Sequence, residues 1–153
     1  MGAETAKDLA RRVWDEGWNQ GRLEVVDEAL TADAVDRHEH GQEDFRGHLK
    51  AAIAEFRRGF PDLHADLADI VAEGDRVAMR VVITGTHDGP FFGNQPSGRP
   101  VSIEQFHFVQ VNADGRAIRH WANVGLDDLL RQIGAGPAGS REVSGPRGPA
   151  PNR

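Results

Sequence analysis

The sequence predicts an α+β fold: a curved antiparallel sheet wrapped around N-terminal helices, in the manner of a barrel or cone. Three observations carry this reading. Apolar residues recur at helical spacing before Pro61, and the period changes to two after it. Short glycine-containing turns then join most of the β-type segments, so helices come first and a meander follows. At 153 residues the chain is long enough for one domain with a real core.

Residues 5 to 19 carry Ala6, Leu9, Ala10, Val13, Trp14 and Gly17 at helical spacing, with Thr5 as N-cap. Gly21 follows the exit at Asn19 and Gln20, and a second short helix is expected from Arg22 to Leu30. A polar stretch holding His38 and His40 comes next. Phe45, Leu49, Ala52, Ile53 and Phe56 then mark a third amphipathic helix, stopped near Gly59 and Pro61. Residues 63 to 71, 76 to 87, 101 to 111 and 116 to 124 read as strands, with hairpin turns at Gly74-Asp75 and Asp114-Gly115. Only the loop 88 to 100, DGPFFGNQPSGRP, is long. A final short helix from Leu126 to Ile133 ends at Gly134, a suitable C-cap.

The folded unit is thus expected over residues 4 to 134. From Ala135 the sequence runs AGPAGSREVSGPRGPAPNR, with one valine as its only sizeable apolar side chain, so residues 135 to 153 read as a disordered tail. The net charge of −6 and the lack of any Lys/Arg run argue against a nucleic-acid partner. Absence of cysteine excludes disulfides, thiolate metal sites and a cysteine nucleophile. The N-terminus MGAETAKDLARR has no apolar signal core and no stretch reaches membrane-spanning length, so no membrane association and a cytoplasmic location are expected.

A sheet curved around helices leaves a cone whose open end can hold a ligand, and several residues could furnish it. Gln105 and His107 share one face of the strand SIEQFHF with Val101 and Ile103. A polar pair on an apolar face costs free energy unless a ligand or a partner meets it, so either a site or mutual satisfaction is implied. Phe106 and Phe108 take the opposite face, where a helix can cover them. His120 shares a face with Ile118 and Ala122, while Trp121 and Asn123 take the other; it is either a proton shuttle or a core imidazole bonded to a neighbouring strand. His87 ends its strand beside the long loop, at the expected pocket mouth or simply in solvent. Phe91 and Phe92, adjacent in that loop, suggest a lid or a dimer contact. Trp14, Trp18 and Phe56 are core or pocket wall, which for an aromatic ligand are the same surface. His38 and His40 lack a supporting third ligand, so no metal is expected, and no phosphate loop or other cofactor motif is present.

The strings VWDEGWNQGRLEVVDEALTADAVDRH, FPDLHADLADIVAEGDRVAMRVVITGTHDGPFFGNQPSGRPV and DGRAIRHWANVGLDDLLRQIG, in this order, resemble the SnoaL-like polyketide cyclase family of the nuclear-transport-factor-2-like superfamily, over about residues 8 to 134. The resemblance implies cofactor-free acid–base chemistry on a small, hydrophobic, polycyclic, anthracycline-like intermediate: ring closure by an aldol step, or hydroxylation in close relatives. It implies that Gln105 and His107 face the substrate, that His120 matches the family's histidine, and that His38 lies in a segment that can face the pocket. On this reading His107 and His120 move protons and Gln105 holds a carbonyl or enolate oxygen. The ring-closing members carry an Asp two positions after the histidine, where this chain has Ala122; the change favours a hydroxylase, unless His107 or His120 has taken the role or a bulge turns Asn123 inward. A non-catalytic binding domain is the reading from a different class. Surplus apolar residues on the outer sheet face, Phe106 and Phe108 with Val124 and Leu126, together with the family's habit of pairing through the sheet, imply a homodimer.

Overall fold

The computed structural model describes residues 2–37 and 44–135. The expected tail beyond Ala135, together with His38 and His40, lies outside the described residues.

Helix α1 (Gly2–Arg12) runs straight into a π-helical turn (Val13–Trp18), and helix α2 (Glu24–Ala29) follows. Strand β1 (Leu30–Asp36) comes next, then helix α3 (Phe45–Gly59), whose N-cap Asp44 accepts a hydrogen bond from the Gly47 amide at 2.9 Å. Strands β2 (His64–Glu73), β3 (Arg76–Thr86), β4 (Pro100–Val111) and β5 (Ala117–Asn123) and helix α4 (Leu126–Gln132) complete the described elements. The five strands form one sheet in the order β1-β5-β4-β3-β2, a mixed sheet that, among the described residues, is open at its edge strands β1 and β2 rather than closed into a barrel. The meander is antiparallel as expected, and Gly74 and Gly115 take the positive φ their turns require, 59° and 81°.

Strand β1 is the element the sequence did not announce. Its sequence LTADAVD alternates poorly and contains helix-tolerant alanines, so it reads as a helix end followed by polar loop. It becomes a strand because it pairs in parallel with β5, Val35 opposite Arg119 and Asp36 opposite His120, a partner some 84 residues away. Its start is held by two guanidinium groups: Arg46 and Arg116 both donate to the Leu30 carbonyl, at 2.7 and 2.8 Å.

Strand β4 sorts its side chains cleanly. Val101, Ile103, Gln105, His107, Val109 and Val111 are buried on the concave face against Trp14, Trp18, Ile53 and Phe56 from the helices, while the alternate residues point out. The expectation that a helix covers Phe106 and Phe108 is therefore wrong. They are 49% and 43% exposed, Trp121 beside them is 36% exposed, and no described helix lies over them. Among the described residues no helix is long and apolar enough to cross a membrane.

The long loop between β3 and β4 is pinned at its base. Phe91 is fully buried on Gly59, where an added Cβ would come within 2.8 Å of the phenylalanine's own Cβ, and the Gly89 amide donates to the Gly59 carbonyl at 3.0 Å. His87, 1% exposed, is the second pin: its Nδ1 accepts from the Ser97 amide at 3.1 Å and lies 2.8 Å from the Ser97 hydroxyl, while its ring packs 5.4 Å from Phe60. An accepting Nδ1 puts the ring proton on Nε2, which is buried and has no partner among the described residues. Burial pushes the His87 imidazole below its ordinary value of 6.5, with the Asp88 charge and the nearby Asn94 backbone opposing in part. An imidazole held neutral in this way contributes stability that is complete above the ordinary value and is lost as pH falls from there through the lower folded value. His87→Asn, whose Oδ1 takes the place of Nδ1 but does not titrate, should therefore lose less thermal stability than the native protein between about pH 7 and pH 5. Parallel pH profiles of the melting temperature would show that His87 is not such a pin.

Candidate functional site

Two cavities open inside the concave sheet and share a wall. One, about 630 Å³ with its mouth, is almost wholly apolar and is lined by Leu9, Val13, Trp14, Met79 and Val109 among others. The other, about 610 Å³ with its mouth, carries Asp36, His48 and Gln105 alongside Phe56, Phe92 and Val124. Trp18, Phe45, Leu49, His107 and His120 line both. The two imidazoles thus stand in the partition between an oily lobe and a second, the polar lobe, whose mainly apolar walls also carry Asp36, His48 and Gln105.

Sheet register creates the cluster in that partition. His107 on β4 is directly opposite Ala122 on β5, and His120 is diagonal to it; on the far side of β5, Asp36 of β1 is opposite His120. Three neighbouring strands therefore place Gln105, His107, His120 and Asp36 in one line, all of them at most 9% exposed. Asp36 Oδ1 is 2.8 Å from His120 Nδ1, His120 Nε2 is 2.9 Å from His107 Nδ1, and His107 Nε2 is 2.9 Å from Gln105 Oε1. Gln105 Nε2 donates to the Val124 carbonyl at 3.0 Å. Flat neighbours hold the rings in place: Phe45 stacks on His120 at 4.7 Å and Trp14 meets His107 edge-on at 5.1 Å. His48 Nε2 approaches the other Asp36 oxygen at 3.5 Å.

The two ends of this line dictate its protons. The Val124 carbonyl can only accept, so the Gln105 amide nitrogen faces it and the amide oxygen faces His107. That oxygen also only accepts, so His107 Nε2 must carry hydrogen. Each of the other two short contacts then needs one hydrogen as well. Three hydrogens fill three bonds, and with them the Asp36–His120–His107 set is neutral overall, as a carboxylate beside an imidazole pair of charge +1 or as its proton-shifted equivalent. Removing the hydrogen from His107 Nε2 keeps the other two bonds, His107 to His120 to an ionised Asp36, but sets a bare nitrogen against the Gln105 oxygen, so this form needs a donor or a C–H in that oxygen's place. The line can therefore both give and take a proton at one atom, His107 Nε2.

The sequence-derived candidates divide as follows. Gln105, His107 and His120 come together in the partition. Trp14 lines the apolar lobe, Trp18 both lobes, and Phe56 and Phe92 the polar lobe. Phe91 lines neither; it lies behind Phe56 as core, so the pair is not a two-residue lid, and only Phe92, 44% exposed with φ of 45° and its amide donating to Glu55 Oε2 at 2.6 Å, sits at the rim. His87 lies outside both cavities. Asn123 points to solvent and its Oδ1 accepts from the Gly125 amide at 3.3 Å; the β4–β5 register is regular from His107 to Asn123, so no bulge turns it inward. His38 is outside the described residues. Asp36 and His48 were missed, since only the distant β1–β5 pairing identifies Asp36 as more than part of a polar stretch. Among the described residues no group of three or more His, Asp and Glu is arranged to hold a metal ion.

No curated protein matches the chain. Among solved structures, AclR, a proposed hydroxylase from Streptomyces galilaeus, is 30% identical with a TM-score of 0.75, covering 88% of this chain and 99% of its own. IdmH, a proposed polyketide cyclase from Streptomyces antibioticus, is 32% identical with a TM-score of 0.70, covering 84% of this chain and 98% of its own. A proposed SnoaL-like polyketide cyclase from Jannaschia sp. CCS1 is 28% identical with a TM-score of 0.76, covering 89% and 96%. The family model for SnoaL-like polyketide cyclases matches residues 8–133, nearly all of the described fold, and the chain belongs to that family.

Proposed function

We propose that the protein is a cofactor-independent polyketide-tailoring enzyme that enolises a carbonyl compound, a flat polycyclic aromatic intermediate, and closes a ring on it by an aldol step. The observation that carries this reading is the hydrogen-bonded line ending at His107 Nε2 in the partition between the two lobes. His107 Nε2–H gives its proton to the substrate carbonyl oxygen, which acidifies the adjacent C–H. The bare nitrogen left behind takes that carbon-bound proton, so ketone becomes enol and the line regains its starting state. The enol carbon then attacks a second carbonyl, and the enol proton passes to the new alkoxide. Gln105 occupies the position a substrate oxygen would take on His107, and Asp36 holds the positive charge close without touching the reacting carbon.

Ala122 favours a second reading. A methyl group faces His107 where ring-closing members carry an acid, and the similarity to AclR points the same way: dioxygen adds to the same enolised carbon to give a hydroperoxide, which an external two-electron donor reduces to the hydroxyl group and water. The proton chemistry is common to both. The outer sheet face, with Phe106, Phe108 and Trp121 clustered and Val71 63% exposed, supports a homodimer that buries this patch. A net charge of −6 leaves nucleic acid an unsuitable partner.

Two measurements follow. On the natural substrate His107→Ala should lower turnover about a hundredfold and Asp36→Asn about tenfold, both with the fold intact by circular dichroism. Native turnover in both variants would refute the acid–base role of the line. Light scattering should give a mass near twice 16.7 kDa, and Phe108→Glu should return it to the monomer value; a native protein that is monomeric at micromolar concentration would refute the dimer.

A further inference from the structure

Phe92 stands in a conformation that its side chain disfavours. Among the described residues it is the only non-glycine with a positive φ, 45°, and Gly93 follows at 79°. The Phe91 amide donates to the Asn94 carbonyl at 3.0 Å, and the Asn94 amide donates back to the Phe91 carbonyl at 2.9 Å. Phe91 to Asn94 is therefore a two-residue hairpin turn with both central residues left-handed, the type I′ geometry. Asn, Asp or Gly ordinarily fills the first central position, and a bulky aromatic there is strained.

Helix α3 holds the turn in place. Glu55 Oε2 accepts from the Phe92 amide at 2.6 Å, while Glu55 Oε1 takes two hydrogen bonds from Arg58, each at 2.8 Å. Beneath the turn, Phe91 is seated on Gly59, and its carbonyl also accepts from Asn94 Nδ2 at 3.1 Å. With its amide on Glu55 and its carbonyl 3.4 Å from Asn94 Nδ2, Phe92 presents chiefly its ring. The residue is 44% exposed and lines the polar lobe, whose deeply buried members include Gln105 and His107. Backbone strain of this kind persists at ligand sites, where the surrounding structure over-determines it. An aromatic ring fixed at the rim, with carbonyl-binding groups deeper in the same lobe, suits a ligand that stacks one flat ring outside and turns its oxygen inward.

We propose that Phe92 is a specificity-determining residue, a fixed aromatic wall that selects ligands carrying an aromatic ring over their saturated counterparts, and that Glu55 is the positioning residue that holds it there. The proposal rests on the cleft being the substrate site, and it assigns selection of the ring system to residues separate from the proton-transferring imidazoles.

The test compares 1-tetralone with 1-decalone, which share a carbon skeleton and a carbonyl and differ in the aromatic ring, by NMR titration of the full chain. Phe92→Asn places a favoured residue at the turn, so its melting temperature should equal or exceed that of the native protein. The same variant should weaken 1-tetralone binding about fivefold and leave 1-decalone binding within about twofold. Glu55→Ala should lose the same preference, and Glu55→Gln, whose Oε1 can still accept from the Phe92 amide, should restore it. In the native protein, nuclear Overhauser contacts should join the Phe92 ring to the aromatic protons of 1-tetralone, a readout that needs no variant to fold. Failure of 1-tetralone to bind at millimolar concentration, absence of those contacts, or equal weakening of both ketones would overturn the proposal. So would a melting temperature several degrees lower in Phe92→Asn, which would make the ring a packing element, or a shift of that variant to monomer with ligand binding unchanged, which would make it a dimer contact. None of these readouts involves turnover: an unaltered ketone preference in Phe92→Asn beside an inactive His107→Ala protein removes only the aromatic wall, whereas a lost preference beside a fully active His107→Ala protein removes only the acid–base reading.

Discussion

The fixed orientation of the Gln105 side-chain amide is the constraint on which the site depends. Val124 ends β5's contribution to the partition, and its carbonyl takes the Gln105 amide nitrogen at 3.0 Å, which turns the amide oxygen onto His107. Everything along the line then follows by hydrogen-bond complementarity, from His107 Nε2–H through the paired imidazoles to Asp36. An amide rotated by half a turn would face an acceptor with an acceptor at Val124 and would release His107 Nε2 from having to donate. Gln105 thus selects the proton-carrying form of the site in the empty protein, and a ligand oxygen that displaces it inherits a hydrogen already in place.

Buried charge of this kind is tolerable only when each group is met. Asp36 is 1% exposed and would be strongly disfavoured there alone, but its two oxygens look onto His120 and His48. The imidazoles in turn have stacked or edge-on aromatic neighbours. The ion pairs with Arg12, Arg22, Arg58 and Arg80 are on the outside of the molecule, screened by water and remote from the line.

Much of this was legible in the residues, for reasons that can be named. Period-two alternation in β4 is strong because one face packs on tryptophans and the other is open to water, so the pairing of Gln105 with His107 could be read directly. His120 was legible for the same reason. Asp36 was not, because a strand that pairs in parallel with a partner far along the chain leaves little local pattern, and three of the seven residues of LTADAVD are alanine or threonine. Phe91 and Phe92 are neighbours in sequence with opposite fates, decided by Gly59, whose missing side chain admits one ring, and by Glu55, which holds the backbone of the other in a positive φ. Sequence position suggests for His87 either a pocket mouth or solvent; its buried environment is set by Ser97 across the loop, a contact with no sequence signature.

Neutron diffraction from crystals exchanged into D₂O at neutral pH tests the central claim most directly, because it locates the hydrogens themselves. The account predicts deuterium on His107 Nε2 facing Gln105, one deuterium between His107 Nδ1 and His120 Nε2, and one between His120 Nδ1 and Asp36 Oδ1. A bare His107 Nε2 in the ligand-free protein, or a Gln105 amide turned so that its nitrogen faces the imidazole, would contradict it.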